Sequence, residues 1–233
     1  SNAEGTASVT GQTDFAVYAL NFQGGALNVA LDNARGGNGV GLYAYNGIGT
    51  DALNITSSGT IEGTVFGIAA IGNGVGDLTL AASTVTGDTT GIYAINRYGG
   101  ALDVTATTVT GGSGDALYLR NGTGTSLSVE IEDRADGGDN GIDAVNYGSG
   151  DLTVVATSAD GSAFVGGVRD GVSVTNFSGG SLTVIADNVY SSSATAIRTY
   201  NDLVGSTTTI ATYGDVYGEN TAIEARHYGT RTL

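Results

Sequence analysis

The segment GIYAIN at 91–96 returns throughout the chain, as GLYAYN at 41–46, GIDAVN at 141–146 and GVSVTN at 171–176. Its closing residue forms a column: Asn21, Asn46, Gly72, Asn96, Asn121, Asn146, Asn176, Asn201 and His227. Successive spacings are 25, 26, 24, 25, 25, 30, 25 and 26 residues, which makes nine copies. A unit this short cannot enclose a hydrophobic core alone, so the copies must stack and share one.

Each copy holds three short stretches in which apolar residues alternate with others. An xVxG stretch offers Val9, Ala34, Ile61, Val85, Val109, Ala135, Phe164, Val189 and Val216 as inward residues. The GIxAxN stretch offers Val17, Leu42, Ile68, Ile92, Leu117, Ile142, Val172, Ile197 and Ile223. An LxVxA stretch offers pairs such as Leu102/Val104 and Leu152/Val154, weakening to Thr208/Ile210 in the eighth copy. Alternation with period two is the mark of strands buried on one face. No 3.6-residue period competes with it, and Gly and β-branched residues are poor helix formers. The expected fold is all-β: a parallel β-helix (β-solenoid) of about nine coils, ~25 residues each, with three short strands per coil. At ~4.8 Å per strand step the rod is roughly 40 Å long.

Composition agrees. Forty glycines without a three-residue period exclude collagen, and regularly spaced Val, Ile and Leu exclude disorder. There is no cysteine, which fits a secreted protein and equally fits a repeat that never contained one. The net charge of −15 argues against nucleic acid and anionic membranes as partners. No apolar run is long enough to span a bilayer. Ser1-Asn2-Ala3 reads as the remnant of a cleaved tag, leaving 4–233 as a single repeat domain expected to be part of a longer protein.

The column assigns roles. Asn21, Asn46, Asn96, Asn121, Asn146, Asn176 and Asn201 end the second strand facing inward. An amide both donates and accepts, so they are expected to bond to one another in a ladder or to satisfy turn backbone groups, rather than to bind a ligand. His227 occupies the last ladder position and is read as structural. Chemistry is harder to find. Asp103 has Thr79 and Ser128 as column neighbours, Asp143 has Tyr118 and Ser173, and Asp136 has Thr110 and Val165. No acids and base converge, so no catalytic residue, metal site or cofactor is assigned. The acidic segment Glu130 to Asp143 could supply calcium ligands but reads as a solvated edge. GGNGVGLYA at 36–44 and GGSGDALYL at 111–119 lack the aspartate of the calcium nonapeptide. The Thr84/Thr86 and Thr108/Thr110 rungs are too few for an ice-binding face.

Two features stand above the repeat. Alternation places Tyr18, Tyr43, Tyr45, Tyr93, Ile95 and Tyr118 in an outward aromatic and aliphatic stripe, with Ala69 and Ile71 also outward. This is a candidate surface for a host or bacterial protein or glycan. One copy is longer, with Thr157 to Ala163 inserted as a loop.

The elements GDLTL at 76–80, TVTGDTTGIYA at 84–94, GIYAIN at 91–96 and GDLTVVA at 150–156 resemble passenger regions of Gram-negative autotransporters and related β-helical adhesins. The resemblance covers essentially 4–233. It implies a non-catalytic stalk or adhesin at the bacterial surface, exported across the outer membrane through a translocator β-barrel elsewhere in the full-length protein. A pectate-lyase-like polysaccharide enzyme and an inert spacer are the alternatives. Uncapped coils at both ends imply end-to-end self-association.

Overall fold

The computed structural model describes residues 7–202 and 206–229; the Ser1-Asn2-Ala3 remnant lies outside the described residues. The chain winds as a right-through parallel β-solenoid of nine coils with no helix among the described residues. Its GIxAxN strands form one wall, a nine-stranded sheet: Val17–Asn21, Leu42–Asn46, Phe66–Gly72, Thr90–Asn96, Leu117–Asn121, Asn140–Asn146, Asp170–Asn176, Thr195–Asn201 and Thr221–His227. The ladder column is in register throughout, Asn96 pairing with Gly72 and Asn121, and Asn146 with Asn121 and Asn176.

The second wall is a thirteen-stranded sheet built from the other two stretches. Here the structure differs from three separate strands per coil. In four coils LxVxA and the following xVxG run together as one bent strand: Leu53–Gly63, Leu78–Gly87, Leu102–Gly111 and Leu127–Gly137. Register shifts mark the bend between Ser57 and Thr60 and between Ala106 and Thr108. A β-bulge turns the chain there without ending the ladder, so two stretches remain one hydrogen-bonded strand.

Inward residues of both walls fill the interior. Leu42, Ile68, Ile92, Leu117, Ile142, Val172 and Ile197 stack coil on coil against Leu53, Leu78, Leu102, Leu127, Leu152 and Leu182. A glycine closes every xVxG stretch but the eighth, where Ser191 stands, and makes the corner between walls. A Cβ added at Gly87 would collide with the Thr90 carbonyl oxygen, so a side chain there requires the turn to shift.

The long copy carries one correction. Phe164, expected inward, pairs with Arg134 and Asn188 on the outer face, and Val165 takes the buried position in line with Ala135 and Val189. The column neighbour of Asp136 is accordingly Gly166 and not Val165. The ring of Phe164 lies against Gly166, where a Cβ would strike it. The insertion shifts the alternation by one residue, and a period-two strand read one residue off exchanges its faces.

Candidate functional site

The outward positions of the nine-stranded wall collect the aromatic residues. Tyr18 stacks on Tyr43 with ring centroids 5.2 Å apart, and Phe15 packs on both at 4.9 and 5.6 Å. Tyr93 and Tyr118 lie parallel within 2° at 5.1 Å, with Phe66 beneath Tyr93 at 5.3 Å. These spacings follow the strand step of about 4.8 Å, so the rings stack along the rod axis and turn their edges and hydroxyls to solvent. Mutual cover leaves Tyr43, Tyr45, Tyr93, Ile95 and Tyr118 half-buried, whereas Tyr18 at the first coil is exposed. Ala69, expected on the surface, is only 3 % exposed, and it separates the two tyrosine stacks. Burial pushes the Tyr43 phenol above its ordinary pKa, with Tyr18 and Tyr45 adding to the effect.

Arg120 closes the second stack. Its guanidinium sits 3.8 Å over the Tyr118 ring, a cation–π contact. It donates to the Asp143 carboxylate at 2.6 Å and to the Leu119 and Asp143 carbonyls. The stripe thus ends at Asp143 with a tied charge pair.

The asparagine ladder behaves as a turn device with direct rungs at three steps. Asn21 donates to the Asn46 amide oxygen at 2.9 Å, Asn121 to that of Asn146 at 3.2 Å, and Asn146 to that of Asn176 at 3.0 Å. Elsewhere the amides serve turn carbonyls: Asn46 those of Asp51 and Ala52, Asn96 that of Ala101, Asn201 that of Thr207. All but Asn21 are buried. Gly72 is a vacancy the ladder uses, since the Asn96 amide oxygen leans into the space where its side chain would stand. His227 Nδ1 lies 3.1 Å from the Thr208 hydroxyl.

A second polar column escaped the sequence reading. In the fourth to eighth copies, two residues before the inward Ile or its equivalent, stand Thr90, Asp115, Asn140, Asp170 and Thr195, all buried where one wall turns into the other. Asn140 donates backbone and side-chain N–H to one Asp115 carboxylate oxygen, at 3.0 and 2.7 Å. Asp170 accepts from the Thr195 backbone at 3.2 Å and from Arg198 at 2.9 Å, and Arg198 reaches on to Glu224 at 3.2 Å. Burial raises the Asp115 pKa, opposed by the two Asn140 bonds. Glu224 is lowered, chiefly by its hydrogen bond from Arg226. The signal was weak in the sequence, because the position is polar only from the fourth copy on and the first three copies carry Phe15, Val40 and Phe66 there.

Further aromatic rungs also went unremarked: Tyr147, Phe177, Tyr200 and Tyr228 in the later coils, and Tyr190 on Tyr217 across the other wall. The acidic segment disperses its charges. Glu132 accepts from Thr107, Asp133 from Thr108, Asp136 pairs with Arg134, and Asp139 with Arg169. Among the described residues no three acidic or histidine side chains gather as a metal ligand set. The inserted loop is internally braced, with Asp160 accepting from the Ser158 and Ser162 hydroxyls at 2.8 and 2.6 Å. Those bonds hold its carboxyl down to about 2.

Compared with protein-family models, with curated proteins and with solved structures, the chain matches none.

Proposed function

We propose that this chain is a non-catalytic length of β-solenoid rod, a display stalk with an adhesive flank, in a surface protein of the autotransporter passenger kind. The observation that carries the reading is the pair of tyrosine stacks on the outer face of one wall, Tyr18 on Tyr43 and Tyr93 on Tyr118. A core repeated coil after coil supplies length and stiffness. The outward tyrosines supply phenol hydroxyls in line, each both donor and acceptor, over a partly apolar flank that also includes Tyr45 and Ile95. Such a flank suits a protein or glycan ligand at a host or bacterial surface. Export through a separate translocator barrel, and display outside the outer membrane, belong to the same reading. The buried polar residues support a structural role, because the asparagine column is occupied in closing turns. The outer faces of the first and last described coils are the remaining partner surface in this reading, each suited to a second copy.

The test is a glycan array and a cell-binding assay with the triple variant Tyr43→Ser, Tyr93→Ser, Tyr118→Ser beside the parent chain. The expected outcome is loss of binding with strand content unchanged by circular dichroism. Binding of the triple variant equal to that of the parent removes the adhesive part of the reading.

A further inference from the structure

The bend of the thirteen-stranded wall holds a groove of about 460 Å³ that runs along the rod axis. Its origin is a difference of one residue. Leu78–Gly87 and Leu102–Gly111 have ten residues, while their outer neighbours Leu53–Gly63 and Leu127–Gly137 have eleven. The shorter pair bends tightly at Ala82-Ser83 and Ala106-Thr107, and the extra residue on either side raises a lip. The floor carries methyl groups, from Ala81, Ala82 and Ala106 with Thr56 and Thr105 beside them. Acidic side chains line both ends, Asp32 at one and Glu132 at the other, and no Lys or Arg lines the groove. Both carboxylates are already oriented: Asp32 accepts from Ser58 at 2.7 Å and from the Ala7 backbone at 3.1 Å, and Glu132 accepts from Thr107 at 2.8 Å. Each oxygen retains a further lone pair.

We propose that this groove binds a slender linear polycation of the polyamine class, laid along the rod with an ammonium group on Asp32 and another on Glu132. The spacing of the two acids and the sign of the charge point to this occupant. Asp32 and Glu132 stand four coils apart, roughly 19 Å at the strand step. A polymethylene chain is about 4–5 Å across at van der Waals contact and lies along the methyl-lined floor. A fully extended tetra-amine such as spermine advances about 1.25 Å per bond, which places its terminal nitrogens roughly 16 Å apart. The remaining ~3 Å is taken up by a charge-assisted hydrogen bond of about 2.8 Å at each end, inclined to the rod axis. The methylene segments lie on the alanine and threonine methyls, and the inner ammonium groups meet the hydroxyls of Ser58, Ser83 and Thr107. The sign of the ligand follows from the chain as a whole, at −15 with acids at both ends of the groove. A fatty acid of similar girth would bring a carboxylate to a carboxylate.

Isothermal titration of the whole chain with spermine at moderate salt tests the assignment. Glu132→Gln and the groove-filling Ala81→Leu are each expected to weaken binding at least fivefold. Asp215→Asn, which makes the same charge change at an exposed site on another part of the rod, is expected to change it less than twofold. Putrescine, too short to span, is expected to bind at least tenfold more weakly than spermine. Equal effects of Glu132→Gln and Asp215→Asn, or no effect of Ala81→Leu, would show a diffuse counter-ion atmosphere and overturn the proposal. A lysine-containing peptide that binds where spermine does not would overturn it as well. Circular dichroism verifies folding, and Glu132→Gln decides alone if Ala81→Leu does not fold. The groove and the tyrosine rungs lie on different walls, so the tyrosine variants are expected to titrate like the parent and the two readings fail separately.

Discussion

Asn146 shows why a polar column can run through an apolar core. Its amide donates to the Gly150 carbonyl and to Asn176, while its oxygen accepts from Asn121 and from the Gly148 backbone. An unsatisfied buried polar group costs about 1–3 kcal/mol, and Asn146→Ala strands several of them. The variant is expected to lose on the order of 3 kcal/mol, read as a lower urea midpoint at unchanged slope. Asp115 stands in the second column under the opposite condition. A carboxyl whose pKa is raised on folding keeps a proton that the unfolded chain releases. Stability is therefore full below the ordinary carboxyl value of 3.8 and declines as pH rises through the folded value. Asp115→Asn retains an oxygen for Asn140 and removes the charge. It is expected to melt above the parent at about pH 7, and the two are expected to converge at about pH 3. The first column was legible because one residue type recurs at one spacing. The second was not, since Thr, Asp and Asn alternate there and only the three-dimensional turn makes them equivalent.

Among the elements, strands were legible wherever hydrophobic alternation was unbroken, and the ladder register follows the sequence columns residue by residue. Legibility failed at bends and at the insertion. Whether LxVxA and xVxG form two strands or one depends on whether a bulge preserves the ladder, and Ser, Thr and Gly at the bend are compatible with both. At the insertion, FVGG offers two apolar residues in succession, and only packing chooses which faces the core. Val165 won because a β-branched side chain fits the column between Ala135 and Val189, while Gly166 leaves room for the Phe164 ring outside. The register makes a paired expectation. Val165→Ser is expected to destabilise by about 2–3 kcal/mol, from lost burial and a hydroxyl placed in the core. Phe164→Ser, on the surface, is expected to cost about 1 kcal/mol or less. Chemical denaturation of the two variants side by side measures both, and the reverse order would restore the inward phenylalanine.

At the scale of the molecule, a solenoid is a stack whose every interior interface is the same, so its two terminal coils are unfinished copies of that interface. Val9 is 44 % exposed at one end and Ile223 is 43 % exposed at the other, where their interior column mates Ile61 and Ile92 are fully buried. Among the described residues the strands of the first and last coils have a ladder partner on one side only. Set a second copy on the first in the same winding sense and the columns continue in kind: Val216 over Val9, Ile223 over Val17, Ala225 over Ala19, Tyr228 over Phe22. An interface between two different patches is heterologous, and repetition without closure extends it into an open filament. Sedimentation across a concentration series is expected to show average mass rising with concentration. Ile223→Lys blocks one end and Val17→Lys the other, so each variant alone is expected to be a monomer. Mixed in equal amounts they leave one intact pair of ends between them, and the mixture is expected to reach dimers and stop there. A parent chain that stays monomeric at every concentration excludes end-to-end stacking, and a mixture that stays monomeric excludes this register of it.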